Sequence, residues 1–214
     1  MMLVINKPAG LAVHASGRED SHLGHFLAAL SFGLPNPPQL AHRLDRDTSG
    51  CLVLGRHRQA LKRLGQMFAA GQVEKVYWTL VVGAPDGEAG CIEAPLAKQG
   101  GHGSWRMMVD AKGQSAVTDW RLLGRGGRLS WLECRPRTGR THQIRVHLAS
   151  IGLPVAGDHI YGRGTATLAA DRLNLHARAI TLPVNIKTAP VAVTAPPPPH
   201  MLAALAACGW AEGQ

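Results

Sequence analysis

A polar run at residues 42–50 holds the side chains best suited to chemistry. It reads His-Arg-Leu-Asp-Arg-Asp-Thr-Ser-Gly and lies between a proline-rich stretch and an apolar segment. Asp45 stands in it between Arg43 and Arg46. A carboxylate flanked by guanidinium groups stays ionised and held in place, as a nucleophile or an ion-pair partner must be. The same composition also suits a solvated turn capped by one of its own side chains, and the charges alone leave both interpretations open.

A second concentration of functional side chains is the basic stretch at residues 135–148, RPRTGRTHQIRVHL. On a helix that begins near its middle, His142, Arg145 and Leu148 share one face. That face would carry both a cation and an apolar surface. The cation could form an ion pair, and the apolar surface could lie against a base. The alternative is an ordinary amphipathic helix that buries its apolar residues and leaves its arginines in water.

The charge balance favours a partner with dense negative charge. Lys and Arg number 23 against 14 Asp and Glu, which gives a net charge of +9. Neutralising phosphates with such residues releases counterions, so the charge favours a phosphate-bearing partner, although a merely basic surface would give the same total. From Arg121 to Lys187, eleven basic residues, ten of them Arg, face three acidic ones. Candidate contacts to phosphates of such a partner are Arg121, Arg125, Arg128 and Arg163.

Several classes of protein are disfavoured by the composition. The four cysteines are far apart and form no C-x-x-C pair, and the eleven histidines form no H-E-x-x-H motif, so no metal site is expected. No apolar run approaches the roughly 18 residues that span a bilayer. The first residues lack the features of a signal peptide, so the expected location is the cytoplasm.

The predicted elements indicate an α+β protein with a mixed, largely antiparallel sheet and flanking helices. Strands outnumber helices and mostly follow one another directly. The glycine-rich region at residues 83–103 is expected to be loops and turns. A single domain over residues 1–214 is expected. The predicted strands are Leu3–Asn6, Cys51–Gly55, Lys75–Val82, Ala116–Leu123, Leu129–Arg135 and Leu173–Thr181, and the predicted helices are Asp20 or Ser21–Ser31, Arg58–Ala70, His142–Ser150 and Met201–Ala207.

The polar run resembles the catalytic motif of the RluA-type pseudouridine synthases, which read H-R-L-D, two variable residues, T-S-G. Residues 4–14 (VINKPAGLAVH) resemble the early strand and loop of that family, and residues 74–83 (EKVYWTLVVG) its K-x-Y strand. Residues 135–162 and residues 173–177 resemble its C-terminal blocks. The matching segments follow the family's order over nearly the whole chain. The resemblance implies the pseudouridine synthase fold and an isomerase that acts on uridines of ribosomal RNA, tRNA or both.

The resemblance also implies a role for individual residues. Asp45 matches the nucleophilic aspartate, and Arg43 would help to extrude the target nucleotide or fill its place. Tyr77 matches the tyrosine whose ring stacks on the target uracil. Arg145 matches the basic residue that pairs with the catalytic carboxylate, and Leu148 would be an apolar wall of the pocket. No cofactor is implied.

Two departures from the family pattern bear on how RNA is bound. The edge strand that usually precedes INKPAG is shortened, and the separate N-terminal RNA-binding domain of some relatives is absent from this sequence. We therefore expect a monomer whose catalytic domain binds RNA with its own basic surface. Trp78 stands where relatives often have a smaller residue.

Two functions of other classes remain to be tested against this interpretation. One is an RNA-binding protein without catalysis, which an altered Asp45 would have suggested, whereas Asp45 is present. The other is a nuclease or phosphotransferase that uses Asp45 and Asp47 to hold a metal ion. A chelator would inhibit the second, and the family interpretation predicts no inhibition.

Overall fold

The computed structural model describes residues 1–15, 21–101, 105–162, 164–184 and 188–213 of the chain. The strands are β1 (Met2–Lys7), β2 (Gln39–Leu40), β3 (Ser49–Gly55), β4 (Glu74–Val82), β5 (Ala89–Glu93), β6 (Leu96–Gln99), β7 (Arg106–Val109), β8 (Val117–Gly126), β9 (Leu129–Pro136), β10 (Leu175–Leu182) and β11 (Val191–Thr194). The helices are α1 (Arg58–Ala69), α2 (Gln143–Ser150), α3 (Thr165–Leu168) and α4 (Pro199–Ala207), with a 3₁₀ helix at Leu23–Leu30. Within the described residues, no helix is long and apolar enough to cross a membrane.

The first of two compact units comprises Met1–Lys75 and Ala177–Pro198. Strands β1 and β2 both pair antiparallel with β3, and β10 pairs antiparallel with β11. All seven residues of β3 are buried, as expected for a central strand with a continuous apolar sequence. Leu64 and Met67 of α1 pack into the same core, because their spacing places them on one helix face. The polar run leads directly into β3 and is therefore attached to the best-buried strand of this unit.

The second unit comprises Val76–His176 and Pro199–Gln214. Its strands β4, β9, β8 and β5 pair antiparallel in that order, and β6 and β7 form a separate antiparallel hairpin. The apolar residues of α2 and of the sheet form one core, and α4 packs against Trp78 and Trp131 in another. Six consecutive residues of α2, from Gln143 to Leu148, are buried. This helix is therefore enclosed on all sides and is not a surface amphipathic helix.

The sequence predicted the fold class and most elements correctly. The α+β class and the largely antiparallel sheet are confirmed, and the hairpin predicted around the GRGG turn is β8–β9. The prediction of loops throughout residues 83–103 is wrong, because β5 and β6 lie there. The helix predicted up to Ser31 is a 3₁₀ helix whose N-cap is His22, whereas Asp20 lies outside the described residues. The single domain over residues 1–214 stays a prediction.

Candidate active site

The start of the polar run is fixed by the imidazole ring of His42. The backbone N–H of Val53 donates to Nε2 of His42 over 3.0 Å, so a neutral ring carries its hydrogen on Nδ1. The ring stacks on Phe68 of α1 with 4.6 Å between centroids. Burial lowers the pKa of His42 to about 4, helped by the charge of Lys75 and opposed by a backbone hydrogen bond at Arg43. A neutral histidine therefore ties the polar run to β3 and α1.

A fully buried lysine at the end of β1 holds the middle of the polar run. Lys7 has 0% exposure, and its ammonium donates three hydrogen bonds of 2.8 Å to backbone carbonyls. Those carbonyls belong to Pro8, Leu11 and Arg46. Burial lowers the pKa of Lys7 to about 8, although the charges of Asp47 and Asp45 act to raise it. Lys7 is therefore mainly protonated near neutral pH, and its charge interacts favourably with both carboxylates.

Asp45 lies at a turn of the polar run and is half-buried. The backbone N–H of Thr48 donates to the carbonyl oxygen of Asp45 over 3.2 Å and closes this turn. Leu44 is only 4% exposed, whereas Arg43 is exposed. The buried leucine anchors the loop between the two candidate side chains. The structure thus brings Arg43 and Asp45 together on one well-anchored loop.

The polar run ends at a glycine that the packing requires. Gly50 has a φ of +108°, a region that favours glycine. A Cβ atom at this position would overlap the backbone carbonyl of Ala177. Just before it, Arg46 pairs with Asp47, with 3.1 Å between Nε and Oδ1 and both side chains about half exposed. Arg46, which follows Asp45, therefore has Asp47 as at least one ion-pair partner.

In the second unit, Arg145 forms a buried bidentate ion pair with Asp158. Its Nε and one terminal nitrogen donate to the two carboxylate oxygens over 2.7 and 2.8 Å. The side chains are 7% and 0% exposed. The backbone N–H groups of Ile160 and Tyr161 also donate to Asp158. Burial alone would raise the pKa of Asp158, but the hydrogen bond and charge of Arg145 and the two backbone donors outweigh burial and lower it.

Arg145 is therefore not in water, which was the alternative interpretation of its helix. Its predicted pairing with Asp45 stays a prediction. The guanidinium also lies over the ring of Tyr161, 5.0 Å from the centroid. The carboxylate and the ring together fix the plane of the guanidinium, because Arg forms directional bonds in its own plane and stacks on aromatic faces.

Tyr77 and Leu148 belong to one apolar cluster of the second unit. Tyr77, on β4 opposite Cys134 of β9, is half-buried and packs against this cluster. Leu148, on α2, is 0% exposed within it. The half-exposed tyrosine has surface to offer a base. Leu148 has none in this state and packs as a core residue, so its role as a pocket wall stays a prediction.

The four predicted contacts to the RNA backbone differ in their surroundings. Arg121 lies 3.4 Å from a carboxylate oxygen of Glu133, and Arg125 donates to the carbonyl of Pro85. Arg128 is exposed in the β8–β9 turn. Arg163 lies outside the described residues. Arg128 is thus the candidate best placed to contact a phosphate.

Lys7 and Asp158 were not predicted as residues of the site. Lys7 is the lysine of the NKPAG segment, and Asp158 is the only acidic residue among residues 135–162, so its isolation among arginines was the available signal. Across the described residues, no group of three or more His, Cys, Asp or Glu side chains could hold a metal ion.

Comparison with known proteins identifies the family of the chain. The sequence model described as RNA pseudouridylate synthase matches residues 1–150. An uncharacterized RNA pseudouridine synthase of Zymomonas mobilis is 41% identical over 198 residues, which cover 92% of this chain and 90% of the relative. The chain belongs to the RNA pseudouridylate synthase family. It is therefore an enzyme, an isomerase that forms pseudouridine in RNA, as the resemblance of the polar run predicted.

Two further relatives extend the comparison to longer proteins and to a solved structure. The ribosomal large subunit pseudouridine synthase D of Xylella fastidiosa is 38% identical over 221 residues, which cover 96% of this chain and 66% of that protein. The structure of human RNA pseudouridylate synthase domain containing 4 matches with a TM-score of 0.80 and 27% identity, over 96% of this chain and 89% of that one. The fold of this pseudouridine synthase is thus the fold of its family.

Proposed function

We propose that this pseudouridine synthase isomerises uridines of large-subunit ribosomal RNA, with Asp45 as its nucleophile. The observation that carries the assignment of Asp45 is its position on a loop that Lys7 and His42 anchor from two sides. The name of the Xylella fastidiosa relative supports ribosomal RNA as the substrate. Transfer RNA is the other substrate that the sequence suggested, and mapping the modified positions distinguishes the two.

The reaction breaks the glycosidic C–N bond, turns the uracil and rejoins it to the ribose through carbon. All atoms of the nucleotide are retained, so the chemistry requires no cofactor. A stacked uridine must first be flipped out, which costs a few kcal/mol. We propose that exposed Arg43 fills the vacated space and that the half-exposed ring of Tyr77 stacks on the uracil, which together offset this cost. In this proposal Arg145 and Leu148 complete the substrate-binding residues.

Asp45 must be an anion when it attacks. The positive charge of Lys7 interacts with Asp45 and Asp47, since the charges of both carboxylates act to raise the pKa of Lys7. Lys7 itself is enclosed by backbone carbonyls and has 0% exposure. We therefore propose that Lys7 positions the loop and supplies charge, and that it does not touch the substrate.

The test of the nucleophile compares two neighbouring carboxylates. Asp45→Asn and Asp45→Ala should abolish pseudouridine formation in RNA from a deletion strain, while affinity for that RNA changes little. Asp47→Asn is the matched control, since Asp47 is a half-buried carboxylate in the same loop, and it should retain activity. Turnover by Asp45→Ala would refute the assignment.

The same assay tests the metal-dependent alternative. A nuclease or phosphotransferase that holds a metal between Asp45 and Asp47 would lose activity with either substitution and with a chelator. The proposed isomerase should be insensitive to the chelator. We also propose that the enzyme acts as a monomer in the cytoplasm through one catalytic domain, and gel filtration of the purified chain with and without RNA tests its oligomeric state.

A further inference from the structure

An exposed tryptophan next to the β6–β7 hairpin contacts a histidine and a lysine. The ring of Trp105 lies 5.6 Å from the ring of His142, with an interplanar angle of 17°. The ammonium of Lys98, on β6, lies 4.6 Å from the centroid of the Trp105 ring. Trp105 is nevertheless 43% exposed. A large aromatic ring at the surface of this enzyme is thus held in a fixed orientation.

The backbone of His142 is arranged to present its ring to these neighbours. His142 is the N-cap of α2 and has a φ of +53°, a strained conformation for a residue with a side chain. Its side chain makes no capping hydrogen bond. Instead Nδ1 lies 2.7 Å from the hydroxyl oxygen of Tyr161. The hydroxyl oxygen of Tyr161 also accepts from the backbone N–H of Met107, on β7, over 3.1 Å. The hairpin and the helix are therefore fastened together at Tyr161.

These contacts connect Trp105 to Arg145. Tyr161 lies under the guanidinium of Arg145 at 5.0 Å and meets the ring of His142 at 5.5 Å. His142 in turn stacks on Trp105. Successive ring contacts thus run from a residue that we place in the substrate site to a partly exposed tryptophan in the same unit.

We propose that Trp105 is a stacking platform for a base of the RNA other than the target uridine. This proposal rests on the proposed function, in which Tyr77 stacks on the target uracil. Every base has a π-face, so an aromatic platform binds RNA with little sequence preference. When a base stacks on Trp105, Lys98 exchanges its contact with the indole ring for a contact with an adjacent phosphate. Lys98 is suited to this exchange because its flexible side chain carries a point charge.

The experiment separates stacking from charge with two probes. One is a fluorescein-labelled oligouridylate, and the other is an abasic strand of the same length and charge. Trp105→Leu should weaken binding of the oligouridylate by about 5- to 150-fold and leave binding of the abasic strand unchanged. Trp105→Phe should keep most of the affinity. Lys98→Met should lower the salt slope by about one on the oligouridylate only, because on the abasic strand no base displaces Lys98 from the indole ring.

Controls distinguish this proposal from a general loss of folding. Phe32→Leu removes another exposed ring, which is 66% exposed, and should change binding of neither strand. In a second measurement, oligouridylate should quench less tryptophan fluorescence in Trp105→Phe than in the unaltered enzyme. Equal losses on both strands for Trp105→Leu, or unchanged quenching in Trp105→Phe, would overturn the platform.

Failure of the platform and failure of the proposed function give different results. If Trp105 is not a platform, the ratio of the two affinities is unchanged by Trp105→Leu, while the unaltered enzyme still forms pseudouridine and Asp45→Asn does not. If the proposed function is wrong, Asp45→Ala retains turnover whatever the binding of the two strands shows.

Discussion

The buried ion pair of Arg145 with Asp158 allows a prediction about stability. Asp158→Asn keeps the shape of the side chain, and its amide oxygen can still accept from the backbone donors of Ile160 and Tyr161. It removes the negative charge opposite a guanidinium whose side chain is only 7% exposed. Removing one partner of a buried pair is strongly destabilising, because the remaining charge has little water to solvate it.

The expected loss in free energy of unfolding is about 3–5 kcal/mol, the range for breaking a buried pair. With a urea m value of about 2–3 kcal/mol per molar, the unfolding midpoint should fall by about 1–2.5 M. The matched control is Asp119→Asn. Asp119 also forms two short bonds to one arginine, at 2.6 and 2.8 Å from Arg137, but the side chains of that pair are 33% and 62% exposed. The control should therefore lose much less stability.

The pH dependence gives a second readout of the same interaction. The pKa of Asp158 is lowered in the folded enzyme, so its contribution to stability is present above the unfolded value of about 3.9 and is lost as the pH falls through the folded value. The stability difference between the unaltered enzyme and Asp158→Asn should stay constant near neutral pH and shrink only in strong acid. A loss no larger than that of Asp119→Asn at neutral pH would refute the reasoning.

Substitutions at three other residues test the two units. Tyr77→Ala should weaken RNA binding by about 1–3 kcal/mol through lost stacking, whereas Tyr77→Phe should bind normally and show any loss in turnover. Equal RNA affinities of the two variants would mean that the ring does not stack. Lys7→Met leaves the carbonyls of Pro8, Leu11 and Arg46 without this donor, so urea unfolding should show a loss of about 2 kcal/mol and turnover should fall. An unchanged unfolding midpoint would mean that Lys7 does not hold the loop. Arg128→Met should lower the salt slope of RNA affinity by about one and leave the rate at saturating RNA normal. An unchanged salt slope would mean that Arg128 does not contact the RNA backbone.

The sequence located the candidate loop but not the contacts that hold it in place. The polar run was recognisable because its charged residues are contiguous, and the position of Asp45 between two arginines is a local property. The clamp of Lys7 is not local, because one of its three carbonyls belongs to Arg46, which is 39 positions away. A lysine near the N-terminus gives no indication in the sequence that it is 0% exposed.

The strands β5 and β6 were missed for a related reason. Region 83–103 is rich in glycine, and local propensity therefore favours turns. β5 exists because it pairs with β8, in a register that aligns Ala89 with Arg121 and Gly90 with Trp120. A Cβ atom on Gly90 would lie 2.8 Å from the ring of Trp120. This glycine is therefore present for close packing within a sheet, and the sequence alone presents it as a sign of a loop.

Helix α2 shows how one contact changes the interpretation of a residue. From the sequence, Arg145 was either a surface charge or a partner of the catalytic carboxylate. Its bidentate bond to Asp158 explains how the cation can be buried, and it also orients the guanidinium, since a carboxylate that accepts from Nε and one terminal nitrogen fixes the plane of the group. A lysine would offer a point charge without this plane. The buried pair with Asp158 is therefore compatible with a role in the substrate site, and it makes that role depend on arginine in particular.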